Sequence, residues 1–346
     1  MKRHFSPRAV PARQRGAAIL LAMLTVVLVA TLASAAMWQQ WRAVEVETAE
    51  RARAQSTWVL SGALDWARLI LAEDGRKGGT DHLGEPWAMP LEQARLSTFL
   101  AADRGDSLAA DASANAFLSG QIHDLQARLN LRNLVQDDGK VHTPTLRTWE
   151  RLFAQLGLPR KQLDALVAQL TQAQRAGGTA LAAHQALDAS MDGPLMPQEP
   201  EQVAWLGLDA ATLASLSPYI VVLPERTPVN LNTASATVLS ACLEGLNPAD
   251  AQRLLQARRL RPWENLEDVK AAARLPRLSL DTQQLSLSTR FFALQGALQI
   301  EGRTVREYSV VQRDGTIVKT LWRKRPLPVV GPAQTATPTP TMPSDF

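Results

Sequence analysis

Residues 13–37 read Arg-Gln-Arg-Gly followed by AAILLAMLTVVLVATLASAAM, and this stretch decides where the rest of the chain lies. Residues 17–37 carry no charge, no proline and no glycine, with only Thr25, Thr31 and Ser34 as polar interruptions. As a helix rising about 1.5 Å per residue they span roughly 30 Å, the hydrocarbon thickness of a bilayer. Lys2, Arg3, Arg8, Arg13 and Arg15 all precede Gly16, and no acid appears before Glu45. That one-sided charge holds the N-terminus in the cytoplasm, and everything after Met37 then lies across the membrane.

The same leader accounts for the charge of the whole chain. Of 346 residues, 37 are Lys or Arg and 33 are Asp or Glu. Without residues 1–16 there are 32 bases against 33 acids, a net charge of −1, so the basic balance belongs to the leader and not to the body. A lone Cys242 excludes a disulfide framework, a cysteine zinc cluster and a thioredoxin-type pair. A hydrophobic fraction of 46% excludes global disorder, and the length accommodates two or three small domains.

Beyond Met37 the apolar run passes without Pro or Gly into a polar stretch that keeps helical spacing at Trp38, Trp41, Val44, Thr48, Ala52, Val59, Trp66 and Ile70. One helix from residue 17 to about residue 72 is predicted, interrupted in pattern only by Gly62. The rival is a secretory signal peptide cut after Ala33-Ser34-Ala35, although its apolar core usually runs only about 7 to 15 residues.

Further along, residues 73–90 read as a loop, 91–102 as a short helix and 120–135 as a strand region, with a turn at Asp137-Asp138-Gly139. Leu146, Trp149, Leu152, Phe153 and Leu156 share one helical face, a second helix covers 162–176 and stops at Gly177-Gly178, and 201–217 is helical. Residues 229–273 form a compact helical module. FFALQGALQI, TVREYSVVQR and TIVKTLWRK then give three strands with a hairpin at Asp314-Gly315, and the proline-rich residues 326–346 read as an extended or disordered tail.

The leader string Arg13-Gln14-Arg15-Gly16 before an apolar helix resembles the class III leader of type IV pilins and pseudopilins, cut by prepilin peptidase after the glycine. Most of that superfamily carry a glutamate at the fifth mature position; counted from Ala17, this chain has Leu21. Lack of that glutamate marks the type II secretion system protein K family. The run Asp124, Arg128, Asn130, Asn133 and the string Asn230, Asn232, Thr233 are similar to that family's landmarks.

The resemblance implies an α+β fold: a single transmembrane helix continues into a spine helix on an antiparallel sheet, enlarged by a helical, SAM-like insert. It divides the chain into a leader (1–16), a transmembrane helix (17–37), spine and first strands (38–135), two helical domains (136–228 and 229–282), C-terminal strands (283–325) and the tail (326–346). It implies cleavage between Gly16 and Ala17 with N-methylation of Ala17, and a non-enzymatic minor pseudopilin at the tip of the periplasmic pseudopilus, anchored in the inner membrane. The implied partners are the I-type and J-type minor pseudopilins, the major pseudopilin, the inner-membrane assembly platform and prepilin peptidase. The helix face carrying Trp41, Thr48, Ala52, Val59 and Trp66 is the expected contact with partner helices.

Two further sites compete for attention. Residues 229–258 also resemble the helix-hairpin-helix module of competence DNA receptors, and an exported DNA-binding receptor with a cleaved signal peptide is the alternative function. In that module a Gly-x-Gly hairpin meets phosphate; here Gly245 survives, Asn247 replaces the second glycine, and Glu244 and Asp250 bring negative charge. Arg253, Arg258, Arg259 and Arg261 are the candidate basic edge, and the charge pattern predicts no nucleic-acid binding. The protein K resemblance also raises calcium, through an Asp-rich approach that matches residues 165–173. Its three acid positions are Ala168, Thr171 and Ala173 here, so no cofactor is expected and calcium is the single candidate. His82, His123, His142 and His184 lack partners at helical spacing, and Cys242 sits between apolar neighbours with no adjacent His, which predicts neither a transition-metal site nor a nucleophile.

Intact mass of the protein recovered from membranes separates the two N-terminal readings. Cleavage after Gly16 leaves the apolar helix attached, and Gly16→Leu should block it; cleavage after Ala35 removes the helix and would overturn the class III assignment.

Overall fold

A computed structural model describes residues 15–96, 116–182, 193–274, 280–300 and 303–325. The leader up to residue 14, the tail from 326 and His184 lie outside the described residues. Two compact units divide the chain at Val59 and Leu60.

The first unit holds helix α1, which runs Arg15–Lys77 and continues into the second unit. Its apolar window has a mean hydropathy of 2.5 with none of it buried, as expected of a segment whose natural solvent is lipid. Trp38 and Trp41 stand exposed beyond that window with ring centroids 5.4 Å apart.

In the second unit α1 extends one turn further than its sequence pattern suggests. Gly78 adopts φ 67° and returns its N–H to the Asp74 carbonyl at 3.1 Å, a left-handed cap that closes the helix. Leu64 and Leu71 of this part pack with Trp87, Phe292, Leu294, Val311 and Val318 on one face of a five-stranded antiparallel sheet. The strands are β1 (Leu91–Arg95), β2 (Ala116–Asp124), β7 (Phe291–Ile300), β8 (Arg303–Asp314) and β9 (Ile317–Lys324), adjacent in the order β1-β2-β7-β8-β9. The α+β class with an apolar N-terminal helix and an antiparallel sheet is therefore as expected.

The other sheet face, at Phe291, Ala293 and Val310, packs against Leu125, Val221 and Leu223. These lead into the insert, which leaves the sheet at Asp124 and returns at Phe291. Because Asp124 pairs with Phe292, the two ends of the insert stand side by side. The insert contains β3 (Leu129–Asn130), α2 (Thr143–Gln155), α3 (Arg160–Ala182), α4 (Ala210–Leu216), β4 (Ile220–Val221), β5 (Val229–Asn230), α5 (Ala236–Cys242), α6 (Pro248–Leu260), α7 (Leu266–Ala273) and β6 (Leu285–Ser286). A continuous core running from Leu129 through Trp149, Leu166 and Val229 to Leu254 and Leu287 joins its early and late halves.

Four local expectations are corrected. Residues 91–95 form β1, not the start of a helix, because pairing with β2 overrides a weak helical pattern. The strand expected over 120–135 ends at Asp124, since the side chains of Asp124 and Asn130 accept from Gln126 N and Arg132 N and bend the chain into 3₁₀ turns. Helix α3 continues through Gly177-Gly178 to Ala182, a tolerated cost of about 1 kcal/mol per glycine. The helix expected over 201–217 divides at Gly207, φ 91°, into a 3₁₀ segment (Pro200–Leu206) and α4, whose first turn Asp209 caps by accepting from Thr212 N at 2.6 Å.

Docking of α1 on the sheet depends on a close approach. A Cβ at Gly75 would stand 2.1 Å from the Gly315 carbonyl oxygen at the tip of the β8–β9 hairpin, whereas one at Gly62 meets nothing within 4 Å. Gly75→Ala should therefore destabilise the body by about 1–3 kcal/mol, and Gly62→Ala should stabilise it by about 0.5–1 kcal/mol. Urea denaturation followed by tryptophan fluorescence measures both.

Candidate functional site

At the doorway between sheet and insert the chain turns through two 3₁₀ segments, Leu125–Ala127 and Leu131–Leu134, and its buried polar groups need partners. Asp124, at the end of β2, supplies them. Its Oδ1 accepts from Gln126 N at 2.7 Å, and its Oδ2 accepts from Asn230 Nδ2 at 2.9 Å and Thr233 Oγ1 at 2.6 Å. The same Asn230 Nδ2 donates to the Asp81 carbonyl at 3.1 Å, and Asn230 Oδ1 accepts from Asn232 N at 3.0 Å. Two distant segments thus meet on one carboxylate, and Asn230 ties a third, at Asp81, to them.

The remaining asparagines act as backbone substitutes. Asn133 donates to Thr227 O at 2.6 Å and accepts from Thr227 N at 3.0 Å, the two-way pairing a strand neighbour would make. Asn232 does the same with Trp263, at 2.9 and 3.0 Å. Asn130 donates to Glu225 O at 2.7 Å and accepts from Leu223 N at 3.3 Å, so the 223–227 connection is clamped from both ends. Every landmark residue named from the sequence lies in this joint except Arg128, which sits half-buried on the same turn. Burial lowers the Arg128 pKa, opposed by the charges of Tyr308 and Asp124.

Several members carried no signal in the sequence. Gln126 donates to Pro228 O at 3.0 Å and accepts from Arg290 N at 2.7 Å, tying exit to return. Asp81, buried, accepts from Thr289 N at 2.7 Å and from Arg313, whose guanidinium also reaches Asp74 and lies 4.9 Å above the Phe292 ring. Arg313 therefore links the last turns of α1 to the return strand. Only the alternation of β8 placed Arg313 on the α1 side, and nothing in the sequence paired it with Asp74 or Asp81.

Asp74, Asp81 and Glu85 each offer a carboxylate oxygen within 4.8 Å of the others, a grouping the histidine and calcium reading missed. Arg313 already supplies the cation for two of them. Glu85 accepts from His82 N and Trp87 Nε1, both at 2.8 Å, and burial pushes its carboxyl up to about 7. The stretch examined for calcium lies on α3, where Thr171 Oγ1 donates to Val167 O at 2.8 Å and Ala173 is buried.

The basic edge is depleted. Arg258 is buried and donates to Leu231 O at 2.7 Å, and Arg253 pairs with Asp250, so neither presents a free cation at the α5–α6 hairpin. Cys242 is half-buried, and burial pushes its thiol up to about 12, far from a thiolate nucleophile. On α1, Ala17, Leu21, Trp41, Thr48 and Trp66 are exposed and Val59 is half-buried; Gly16 and Ala52 lie within the helix.

Comparison with known proteins places these motifs. Two family models match, both described as type II secretion system (T2SS), protein K: one over residues 127–225 and one over residues 229–289. Over the insert and most of its length the chain is similar to type II secretion system protein K. It is 27% identical over 323 residues to that protein of Pseudomonas aeruginosa, covering 88% of this chain and 91% of the relative. It is 28% identical to that of Klebsiella pneumoniae, covering 87% and 96%. Its fold is similar to a chain in the crystal structure of the GspK-GspI-GspJ complex from the enterotoxigenic Escherichia coli type 2 secretion system, with TM-score 0.58 and 18% identity over 81% of this chain and 98% of that one. The two family models meet between residues 225 and 229, the connection that Asn130, Asn133 and Gln126 hold to the first turn of the insert.

Asp124→Ala strands Asn230, Thr233 and Gln126 N without an acceptor, and should cost at least about 1–3 kcal/mol in equilibrium unfolding. Burial pushes the Asp124 carboxyl up to about 6 against an ordinary 3.8, only partly offset by hydrogen bonds from Thr233, Thr289, Gln126 and Asn230. The native state then holds this proton more tightly than the unfolded chain. Stability from this group is full below the ordinary value and is lost as pH rises through about 6, on the order of 3 kcal/mol. Asp124→Asn should remove that slope between about pH 4 and 6, read as the difference between wild-type and variant unfolding curves.

Proposed function

We propose that this chain is a minor pseudopilin that occupies the tip of a periplasmic pseudopilus and primes its assembly, acting through protein contacts and not through chemistry. Leu21 carries the proposal. In a growing fibre the fifth mature residue of an entering subunit, ordinarily glutamate, faces the N-terminal amine of the subunit already in place. Inside hydrocarbon a charged side chain left unpaired costs about 3 kcal/mol. A subunit with Leu21 cannot neutralise a predecessor, so it suits the position that has none.

The insert supports the same reading. It is held to the sheet by a saturated hydrogen-bond network, so it is a rigid obstacle to a subunit stacking beyond it. The solved relative sits in a complex with GspI and GspJ, which supports I-type and J-type minor pseudopilins as partners of this chain. The face bearing Trp41, Thr48, Ala52, Val59 and Trp66 is the proposed contact, laid against partner helices by ridge-and-groove packing. The major pseudopilin, the assembly platform and prepilin peptidase complete the partner set. The exposed apolar part of α1 supports a single-pass anchor in the inner membrane, with the C-terminal body periplasmic. Cleavage at Gly16 and methylation of Ala17 belong to the same proposal.

Immunogold labelling of wild-type pseudopili should decorate one end. Label spread evenly along the fibre refutes tip placement. Leu21→Glu should impair priming or admit the subunit along the fibre, measured as the number and labelling of fibres per cell.

A further inference from the structure

On the insert a groove of about 330 Å³ opens between the 3₁₀ turn Leu131–Leu134, α3 and the 223–227 connection. Val135 and Pro224 form its apolar part, with Arg132 and the Gln174 amide as polar lining. At its rim Asp137 accepts from Arg226 at 3.4 Å, and Glu225 pairs with Arg290 at 2.9 Å. The rim acids thus have cations of their own. Arg132 does not: it is half-buried, its side chain makes no hydrogen bond or ion pair among the described residues, and its Nε is buried without an acceptor. Only its backbone N–H is used, donating to Asn130 Oδ1. Burial lowers the Arg132 pKa, opposed by the Asp137 charge, yet a guanidinium keeps its proton at any physiological pH.

Arg132 lines the groove, and an anion bound there supplies the acceptor that its guanidinium lacks. The wall opposite is fixed, because Asn130 and Asn133 clamp the 223–227 connection by five hydrogen bonds. We propose that this groove binds a single carboxylate presented by a peptide, received by the fork of the Arg132 guanidinium. The geometry selects the ligand class. A planar carboxylate matches two parallel N–H donors, and the apolar floor accepts the carbon chain that carries it. With Asp137 and Glu225 already paired, one positive charge is left in the groove, which a monoanion neutralises and a dianion such as phosphate or sulfate exceeds. Gln174 can donate to or accept from a neighbouring group of the peptide. The carboxylate is either an acidic side chain or a peptide C-terminus.

Full-length protein in detergent, carrying isotope-labelled arginine, reports the Nε–H resonances of Arg132 and Arg226 directly. Acetyl-Glu-amide presents a side-chain carboxylate, acetyl-Gly a terminal one, acetyl-Gln-amide neither, and inorganic phosphate is the dianion control. The expected result is a saturable shift of the Arg132 resonance with at least one acid, the tighter of the two identifying the source, with no shift from the glutamine probe and a weaker response to phosphate. Arg132→Lys keeps the charge but loses the fork and should weaken binding about tenfold, read at Arg226. Gln174→Glu, which fills the groove with its own carboxylate and leaves the arginine in place, should abolish binding whether or not the lysine variant folds. No shift with either acid, an equal response to phosphate or to the glutamine probe, or undiminished binding by Gln174→Glu would overturn the proposal.

Discussion

A buried carboxylate with its donors arranged around it is the constraint on which the second unit depends. The insert leaves and rejoins the sheet through adjacent strands, so its two ends crowd into one doorway and bring unpaired backbone groups with them. Asp124 accepts from Gln126, Asn230 and Thr233, residues on both sides of that doorway, and so converts a topological necessity into a defined geometry. Pairing β2 with β7 across the long insert costs closure entropy, which rises only slowly with the length of the intervening chain, by about 0.6 kcal/mol per doubling.

Around that carboxylate the fold uses amide side chains where regular structure is impossible. Asn133 and Asn232 each pair in both directions with a backbone residue, extending a ladder that the short parallel strands β3–β4 and β5–β6 only begin. A leucine of similar volume at either place would leave a buried N–H and C=O unsatisfied. A second polar joint, Arg313 with Asp74 and Asp81, holds the end of α1 to the sheet. It lies beside the Gly75–Gly315 approach, so charge and steric fit act at the same place. Breaking either joint leaves uncompensated polar groups in a buried setting, which makes both cooperative with folding of the whole body.

In the role proposed above, these joints matter more than any reactive group. The two layers of the body and its insert share interior polar anchors. The residues that looked reactive or adhesive in isolation are spent inside: Arg258 satisfies the Leu231 carbonyl, and Cys242 is held protonated by burial. Arg132 is the contrast, a guanidinium in the same unit whose donors are not consumed by the fold.

The sequence by itself determined the features that rest on local spacing and on charge. Periodicity and the one-sided leader charge located α1, alternation located β7 to β9, and Asp314-Gly315 located their hairpin, because each is written within a few residues. The strings around Asp124 and Asn230 pointed to the family but not to what those residues do. Their meeting spans a separation of about a hundred residues and is set by how the insert closes, which no local pattern encodes. For the same reason residues 91–95 read as helix until β2 offered an edge, and 120–135 read as strand until Asp124 and Asn130 turned the chain. Gly75 fell in the stretch 73–90 read as a loop; its close approach to Gly315, like the pairing of Arg313 with Asp74 and Asp81, exists only once α1 lies on the sheet, where exclusion of water makes each of those contacts decisive.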